Sequence, residues 1–430
     1  MNPAYLRTSC RQWRGSRRWA LALLAAGLMA VAGAVGAAAS IAIPASARVT
    51  SKNVTEVSAL TANWYESAPY YSTLDSDAPD LGQVMSATGQ KAFDMAFVLA
   101  NNGSCSPSWD GTDPVSSDTQ VASVIDEVRS DGGDVIVSMG GYNGTKLGQV
   151  CSSASATAAA YQQVISEYGL HAFDFDLEEP EIESSTAIAN ELGAAQILQQ
   201  EDPGLFISIT MPSTPTGANY FGGLLLDEAK SLGFTPDDFT IMPFDNGFSG
   251  GSSQVTALQD FNTQLMNTFG WSSAQAYAHE GFSGMNGRTD SAEYFYQSDF
   301  QTVLSFAESS GMSRYTFWSV NRDRQCNPPD DNGDLSSECS SVPQNSWDFT
   351  AYTVAFAKNT SVTPPAPTPT PTTGGGGGSG SCTAPAWASN VSYTSGNVVS
   401  YDGHQWTASQ WNYDEVPGGP SGAWNDDGAC

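Results

Sequence analysis

Short apolar or alternating runs recur every 30 to 45 residues between positions 58 and 320: Ser58 to Trp64, Phe93 to Leu99, Val135 to Met139, Ala172 to Glu178, Leu205 to Met211, Phe239 to Phe244, Gln275 to Ala278 and Tyr315 to Val320. Helix-like segments lie between them, among them Gln120 to Ser130, Ala156 to Tyr168 and Asp299 to Ser310. A period of two pleats into a strand and a period of 3.6 winds into a helix. The alternation therefore predicts eight strand–helix units in one α/β domain, a (β/α)8 TIM barrel.

One run stands apart. In HAFDFDLEEP, His171 to Pro180, the acids Asp174, Asp176 and Glu178 alternate with Phe173, Phe175 and Leu177. An extended strand would bury one face and line up three carboxylates on the other, roughly 6.6 Å apart. Like charges so placed disfavour one another. Taken alone, the stretch reads as a solvated edge strand or as an oxygen-ligand cation site. A barrel gives it a third meaning, because active sites of this fold lie at the C-terminal strand ends, where inward-pointing residues leave the packed core. The apolar residues would pack under the helices, with Asp174 deepest and Glu178 at the mouth.

Composition divides the chain. Residues 360–381, TSVTPPAPTPTPTTGGGGGSGS, pass from a Pro/Thr run favouring polyproline II to a flexible Gly/Ser run. This linker separates a domain over residues 48–359 from a module over residues 382–430, which is too small for a large core and is bracketed by Cys382 and Cys430. Residues 1–47 hold Arg7, Arg11, Arg14, Arg17 and Arg18 and no acid, then an apolar run from Trp19 to about Val35 and a small-residue site at Ala45-Ser46-Ala47. That layout is a secretory signal peptide rather than a membrane anchor. SRRWAL from Ser16 adds a short twin-arginine-like match.

Cleavage would take the formal charge from −29 to −34, since five arginines leave with the segment. So acidic a surface repels nucleic acid and anionic membranes. The expectation is a secreted, extracellular monomer acting on a neutral or cationic substrate. Of seven cysteines Cys10 leaves with the signal, and the rest should form disulfides outside the cell. Position favours 105 with 151, 326 with 339, and 382 with 430. There is no CxxC or Cys/His cluster for zinc and no GxSxG elbow, and neither metal nor cofactor is expected.

The acid strand resembles the DxxDxDxE pattern on the fourth strand of the glycoside hydrolase family 18 chitinases, with Asp174, Asp176 and Glu178 in its last three acidic positions. VSMGG (Val137 to Gly141) resembles that family's SxGG on strand 3, IMPFD (Ile241 to Asp245) its MxYD on strand 6, and FWSVNRD (Phe317 to Asp323) its Trp-bearing strand 8. YGLHAFDFDLE and FWSVNRDRQC together are similar to a bacterial and archaeal branch. His171 stands at the first acidic position, and Phe244 replaces the strand 6 tyrosine whose hydroxyl helps hold the substrate's N-acetyl group. Asn246, Asp245 or Tyr277 would have to supply that contact. Trp387, the run SYTSGNVVSYDGHQWTASQW (Ser392 to Trp411), Pro417 and Trp424 resemble carbohydrate-binding modules of families 5 and 12, with Gln410 where a second adjacent tryptophan often stands.

The resemblance implies a chitinase that hydrolyses β-1,4 bonds between N-acetylglucosamine units by a substrate-assisted, retaining mechanism. Such a reaction needs a protonated acid at the leaving oxygen and stabilisation of positive charge at the anomeric carbon, with the acetamido oxygen as nucleophile. Glu178 would be the acid, Asp176 would orient the acetamido group, Asp174 would share a proton with Asp176, and Asp245 would add polarity. Trp318 would form the subsite floor, lined further by Met242, Phe244 and Asn246. Ser138, Gly140 and Gly141 would serve close packing beside the acids, and His171 and His279 would be structural. On the module, Trp411 and Tyr413 would be the sugar platforms, and Trp387, Tyr393, Tyr401, Trp406 and Trp424 the small core. The implied partners are chitin and N-acetylglucosamine oligosaccharides. An endo-β-N-acetylglucosaminidase acting on glycoprotein glycans and a non-catalytic chitin-binding protein remain as alternatives.

Overall fold

A computed structural model describes residues 58–326, 335–362, 384–387, 392–393, 396–401, 403–409, 412–413, 416–419 and 422–429. The expected signal, nearly all of the linker, Cys382, Cys430 and Trp411 lie outside the described residues. Eight strands run β1 (Tyr70–Ser72), β2 (Ala92–Ala100), β3 (Asp134–Gly140), β4 (Ala172–Asp176), β5 (Phe206–Thr214), β6 (Asp238–Met242), β7 (Glu280–Met285) and β8 (Arg314–Trp318). Each pairs in parallel with the next in chain order. Between β8 and the start of β1 the seam is closed by Tyr315 N donating to Glu66 O at 2.9 Å and by the Thr316 hydroxyl donating to Ala68 O. The sheet is thus a ring, and the TIM barrel read from the alternation is present.

The helices following the strands are α1 (Leu81–Thr88), α2 (Gln120–Ser130), α3 (Ala154–Tyr168), α4 (Ser185–Glu201), α5 (Tyr220–Leu232), α6 (Gly250–Phe269), α7 (Gln297–Ser310) and α8 (Thr350–Lys358). Local chemistry starts several of them: the side chains of Asp80, Ser153, Ser184 and Asn219 accept from the third backbone N–H of α1, α3, α4 and α5, satisfying donors the helix leaves open. The outward face of β4 packs under α3, with the Tyr161 ring 5.6 Å from Phe173 and 5.3 Å from Phe175, both edge-on.

Two strand expectations are corrected. No strand forms over Ser58 to Trp64; Ala62–Tyr65 is a helical turn, and β1 begins at Tyr70, just past Pro69. Gln275 to Ala278 also belongs to a helical turn, Ser273–Tyr277, because Ser272 and Gln275 cap each other reciprocally at its start. The seventh strand follows as Glu280–Met285, where Gly281 and Gly284 interrupt the apolar pattern. The acid strand is also shorter than its alternation, its ladder ending at Asp176.

Two expected disulfides are present, Cys105–Cys151 and Cys326–Cys339. The first ties the segment after β2 to the one after β3. Among the described residues no helix is long and apolar enough to cross a membrane.

Within the C-terminal module an antiparallel sheet is formed by β10 (Val398–Tyr401), β11 (His404–Ala408) and β13 (Trp424–Ala429), and β9 (Ser392–Tyr393) pairs with β12 (Asn412–Tyr413). Tyr393, Val399, Ala408, Ala423 and Trp424 are its buried core, with Trp387 and Trp406 packed against it. Tyr401, expected in that core, is instead exposed and meets Trp387 edge-on at 5.3 Å. Tyr413 is on β12; its side chain, like Trp411, lies outside what is described.

Candidate active site

The acids climb β4 from the interior to the barrel mouth. Asp174, level with Ser138 of β3 and Ser208 of β5, is fully buried; Asp176, level with Gly140 and Thr210, is 3% exposed; Glu178, beyond the ladder, is partly exposed. Gly140 explains how β3 approaches so closely. Its φ is 115°, in a region L side chains rarely adopt, and a Cβ there would lie 2.0 Å from Asp176 O. Gly141 N donates to that same carbonyl at 2.9 Å, and a Cβ on Gly141 would strike the Phe97 ring at 2.6 Å.

Asp174 is the most heavily bonded of the three. Its Oδ1 accepts from the Thr210 hydroxyl at 2.8 Å and Arg314 Nη1 at 2.9 Å, and its Oδ2 from the Ser138 hydroxyl at 2.7 Å and the Tyr70 hydroxyl at 2.9 Å. Among the described residues no hydrogen bond joins Asp176 to Asp174. Asp176 Oδ1 has no hydrogen-bond partner among the described residues. Burial first, then the charges of Glu178, Asp174 and Asp94, push the Asp176 carboxyl well above the usual range, against the pull of Lys146. Burial likewise raises Glu178 to about 7, with Lys146 opposing and Glu179, Asp290 and Asp245 assisting. A carboxyl held near 7 keeps its proton at mildly acidic to neutral pH, as a general acid requires.

Trp318 ends β8 and is partly exposed. Its indole stacks on Phe97 with centroids 5.5 Å apart and planes 5° off parallel, and lies 6.0 Å from the Tyr70 ring. The expected floor and the deepest acid thus share Tyr70 as a support. Met242, 8% exposed, ends β6, and Phe244 packs against the main apolar core.

Asp245 and Asn246 are engaged in holding loops. Asp245 accepts from Ser291 N at 2.6 Å, and Asn246 Nδ2 donates to Ser213 O at 2.9 Å. Tyr277 falls away from the site: its helical turn precedes β7, at the barrel end opposite the acids, and its ring packs on Phe306 at 5.8 Å. His171 and His279 also sit at that end, bonded to Asp134 at 3.0 Å and to Asp237 O at 3.0 Å.

Sequence reasoning missed Tyr70, Phe97, Lys146, Thr210 and Arg314. Lys146 is 1% exposed and donates to Tyr142 O at 2.9 Å, close enough to Asp176 and Glu178 to favour their ionised forms. A lone buried-strand arginine in RYTFW was the available signal for Arg314. Among the described residues no group of three or more His, Cys, Asp or Glu side chains is arranged to hold a metal ion.

Comparison with known proteins agrees with this geometry. Residues 386–425 match the carbohydrate-binding module family 5/12. The chain is 27% identical over 275 residues to a probable bifunctional chitinase/lysozyme of Escherichia coli (strain K12), and 26% identical over 283 residues to endochitinase 11 of Metarhizium anisopliae, covering 60% of this chain in both cases. The matches span 30% and 52% of the length of those two relatives. The catalytic domain of a hyperthermophilic chitinase from Pyrococcus furiosus superposes with a TM-score of 0.62 at 26% identity, over 69% of this chain and 96% of that one. Motifs, barrel and relatives together mark the large domain as a chitinase-like glycoside hydrolase, and residues 386–425 as similar to the carbohydrate-binding modules of family 5/12.

Proposed function

We propose that the protein is a secreted chitinase that hydrolyses β-1,4 bonds between N-acetylglucosamine units while its module holds it on solid chitin. The observation that carries the reading is the acid strand: a partly exposed Glu178 raised to about 7 at the barrel mouth, beside a buried Asp176 with an unpartnered oxygen. Glu178 would protonate the leaving oxygen, and Asp176 would accept the acetamido N–H and offset the charge that develops as the acetamido oxygen closes on the anomeric carbon. Trp318 would pack against the apolar face of the same sugar. The likeness of the module to chitin-type binding modules favours this reading over the glycoprotein endoglycosidase, and the presence of Glu178 favours it over a non-catalytic binder. Acting as a monomer outside the cell belongs to the same proposal.

A defined N-acetylglucosamine hexamer tests it. The wild type should release shorter oligomers whose new reducing ends are first β, seen by NMR before mutarotation, and should leave a cellulose oligomer intact. Glu178→Gln should lose about 100-fold or more of the rate, the usual worth of a general acid, while still binding the hexamer. Early α-anomer would exclude the substrate-assisted route, and an active Glu178→Gln would remove that residue from its role.

A further inference from the structure

Two carboxyls that the proposed chemistry does not use are buried together beside the acid strand. Glu181, in the turn that follows Glu178, is 1% exposed, and Glu191 of α4 is 2% exposed. Their side chains are hydrogen-bonded to each other. A carboxylate only accepts, so a hydrogen bond between two carboxyls needs a proton on one of them. The other donors decide which carries it. Glu191 accepts from the Tyr161 hydroxyl of α3, 2.8 Å from Oε1 and 2.7 Å from Oε2, and from Gly148 N at 2.5 Å. Glu181 Oε1 has no hydrogen-bond partner among the described residues. Glu191 is thus the carboxylate and Glu181 the acid that donates to it. Burial first, then the charge of Glu191, pushes Glu181 well above the usual range, with Lys146 opposing and Asp176 assisting. Burial raises Glu191 as well, against the hydrogen bonds from Tyr161, Glu181 and Gly148.

The pair joins the loops that follow β3 and β4. After β4, Ile182 N donates to Glu178 O at 3.0 Å and Ser184 N to Glu181 O at 2.9 Å, so one tight turn links the Glu178 backbone to Glu181. After β3, Gly148 belongs to the helical turn Leu147–Val150, which begins directly after Lys146. A Cβ on Gly148 would lie 2.4 Å from Glu191 Oε1, so only glycine lets this backbone press against the carboxylate. Asn190 Nδ2, next to Glu191 along α4, donates to Gly148 O at 3.0 Å and to Cys151 O at 3.2 Å. Glu191 therefore grips the loop that carries Lys146, and Glu181 fastens the turn that carries Glu178 to the same anchor.

We propose that Glu181 is a positioning residue for Glu178: its carboxyl proton, donated to Glu191, latches the turn that carries the acid, and loss of that proton frees the turn. This inference rests on the hydrolase reading of Glu178. The titratable groups facing the pair are Lys146 from the loop after β3, Asp176 from β4 and Tyr161 from α3. Of these only Lys146 is a cation, and it also faces Glu178, Asp176 and Glu179. Once the latch proton leaves, two negative charges confront each other out of reach of water, and separating them moves the turn.

The experiment compares the wild type with Glu181→Gln, Glu181→Ala and Tyr161→Phe, by hexamer turnover and by hydrogen exchange of the Ile182 amide. Glutamine keeps a donor for Glu191 and cannot ionise; alanine keeps neither. At about pH 5 glutamine should retain most of the wild-type kcat, whereas alanine should lose about 10-fold or more of kcat with little change in KM, as a misplaced catalytic group does. Alanine with wild-type kcat overturns the positioning role. The exchange readout needs no turnover. Protection of the Ile182 amide, corrected for the intrinsic rise of exchange with pH, should fall in the wild type as pH climbs from about 5 and stay level in Glu181→Gln. Tyr161→Phe takes a donor from the Glu191 carboxylate, so the pair holds its proton more tightly and the fall should begin at higher pH. A side chain that only fills space would leave all three exchange profiles alike, and that result overturns the latch. If the wild type leaves the hexamer intact, the hydrolase reading fails while the exchange profiles still decide whether Glu181 latches the turn. If Glu181→Ala does not fold, Glu181→Gln and Tyr161→Phe decide, by whether the opening disappears in one and moves upward in the other.

Discussion

Lys146 opposes burial at Glu178, and its removal has a defined sign. The acid must be protonated to act, burial raises it to about 7, and Lys146 pulls it down. Lys146→Met should therefore move the basic limb of kcat/KM to higher pH, in the range of a unit expected for loss of a nearby opposite charge; an unmoved limb would show that Lys146 serves packing alone. Gly140→Ala tests a different constraint. A Cβ 2.0 Å from Asp176 O, at a φ of 115°, should cost about 3 kcal/mol of stability in urea unfolding. The acids themselves were legible in the sequence because Asp174, Asp176 and Glu178 repeat every second residue along one strand. Their supports were not, since Tyr70, Thr210 and Arg314 arrive from strands β1, β5 and β8, and no local pattern records which residues a ring closure will bring together.

Element by element, apolar runs were readable where they were unbroken. β2, β3 and β5 fall on expected runs, and α2 has the expected limits. β1 was misplaced because three residues are too few to show a period, and β7 because two glycines, Gly281 making room inside the barrel and Gly284 making room for Phe300 of α7, erase its pattern. The Cys105–Cys151 disulfide closes a loop of sequence separation 46 across the segments that follow β2 and β3. By the loop-closure argument it contributes about 2–4 kcal/mol. A Cys105→Ser, Cys151→Ser double variant should show a denaturant midpoint lowered accordingly with little change in hexamer turnover; a large loss of turnover would mean that the bridge shapes the site.

At the scale of the whole molecule, burial pushes many carboxyls upward. Glu66 and Glu178 rise to about 7, and Asp238 and Asp323 to about 6, from ordinary values of 4.5 and 3.8. Each binds a proton more tightly folded than unfolded, so its contribution to stability is complete below about pH 4 and is lost as pH rises through about 6 to 7. The unfolding midpoint should accordingly be higher at pH 5 than at pH 8, and the opposite order would mean that these acids ionise freely in the folded chain. The module makes a separate prediction: residues 48–359 alone should match the full chain on soluble oligomers and fall behind it on solid chitin, because a second binding module on the same chain raises the local concentration of enzyme at the polymer. Gly281 carries a consequence for the history of the molecule. With a Cβ at that position, Thr240 Oγ1 would be only 1.9 Å away and Arg314 Cβ 2.9 Å. A descendant could thus give up this glycine only after position 240 had become a smaller residue, so the two substitutions have one permitted order.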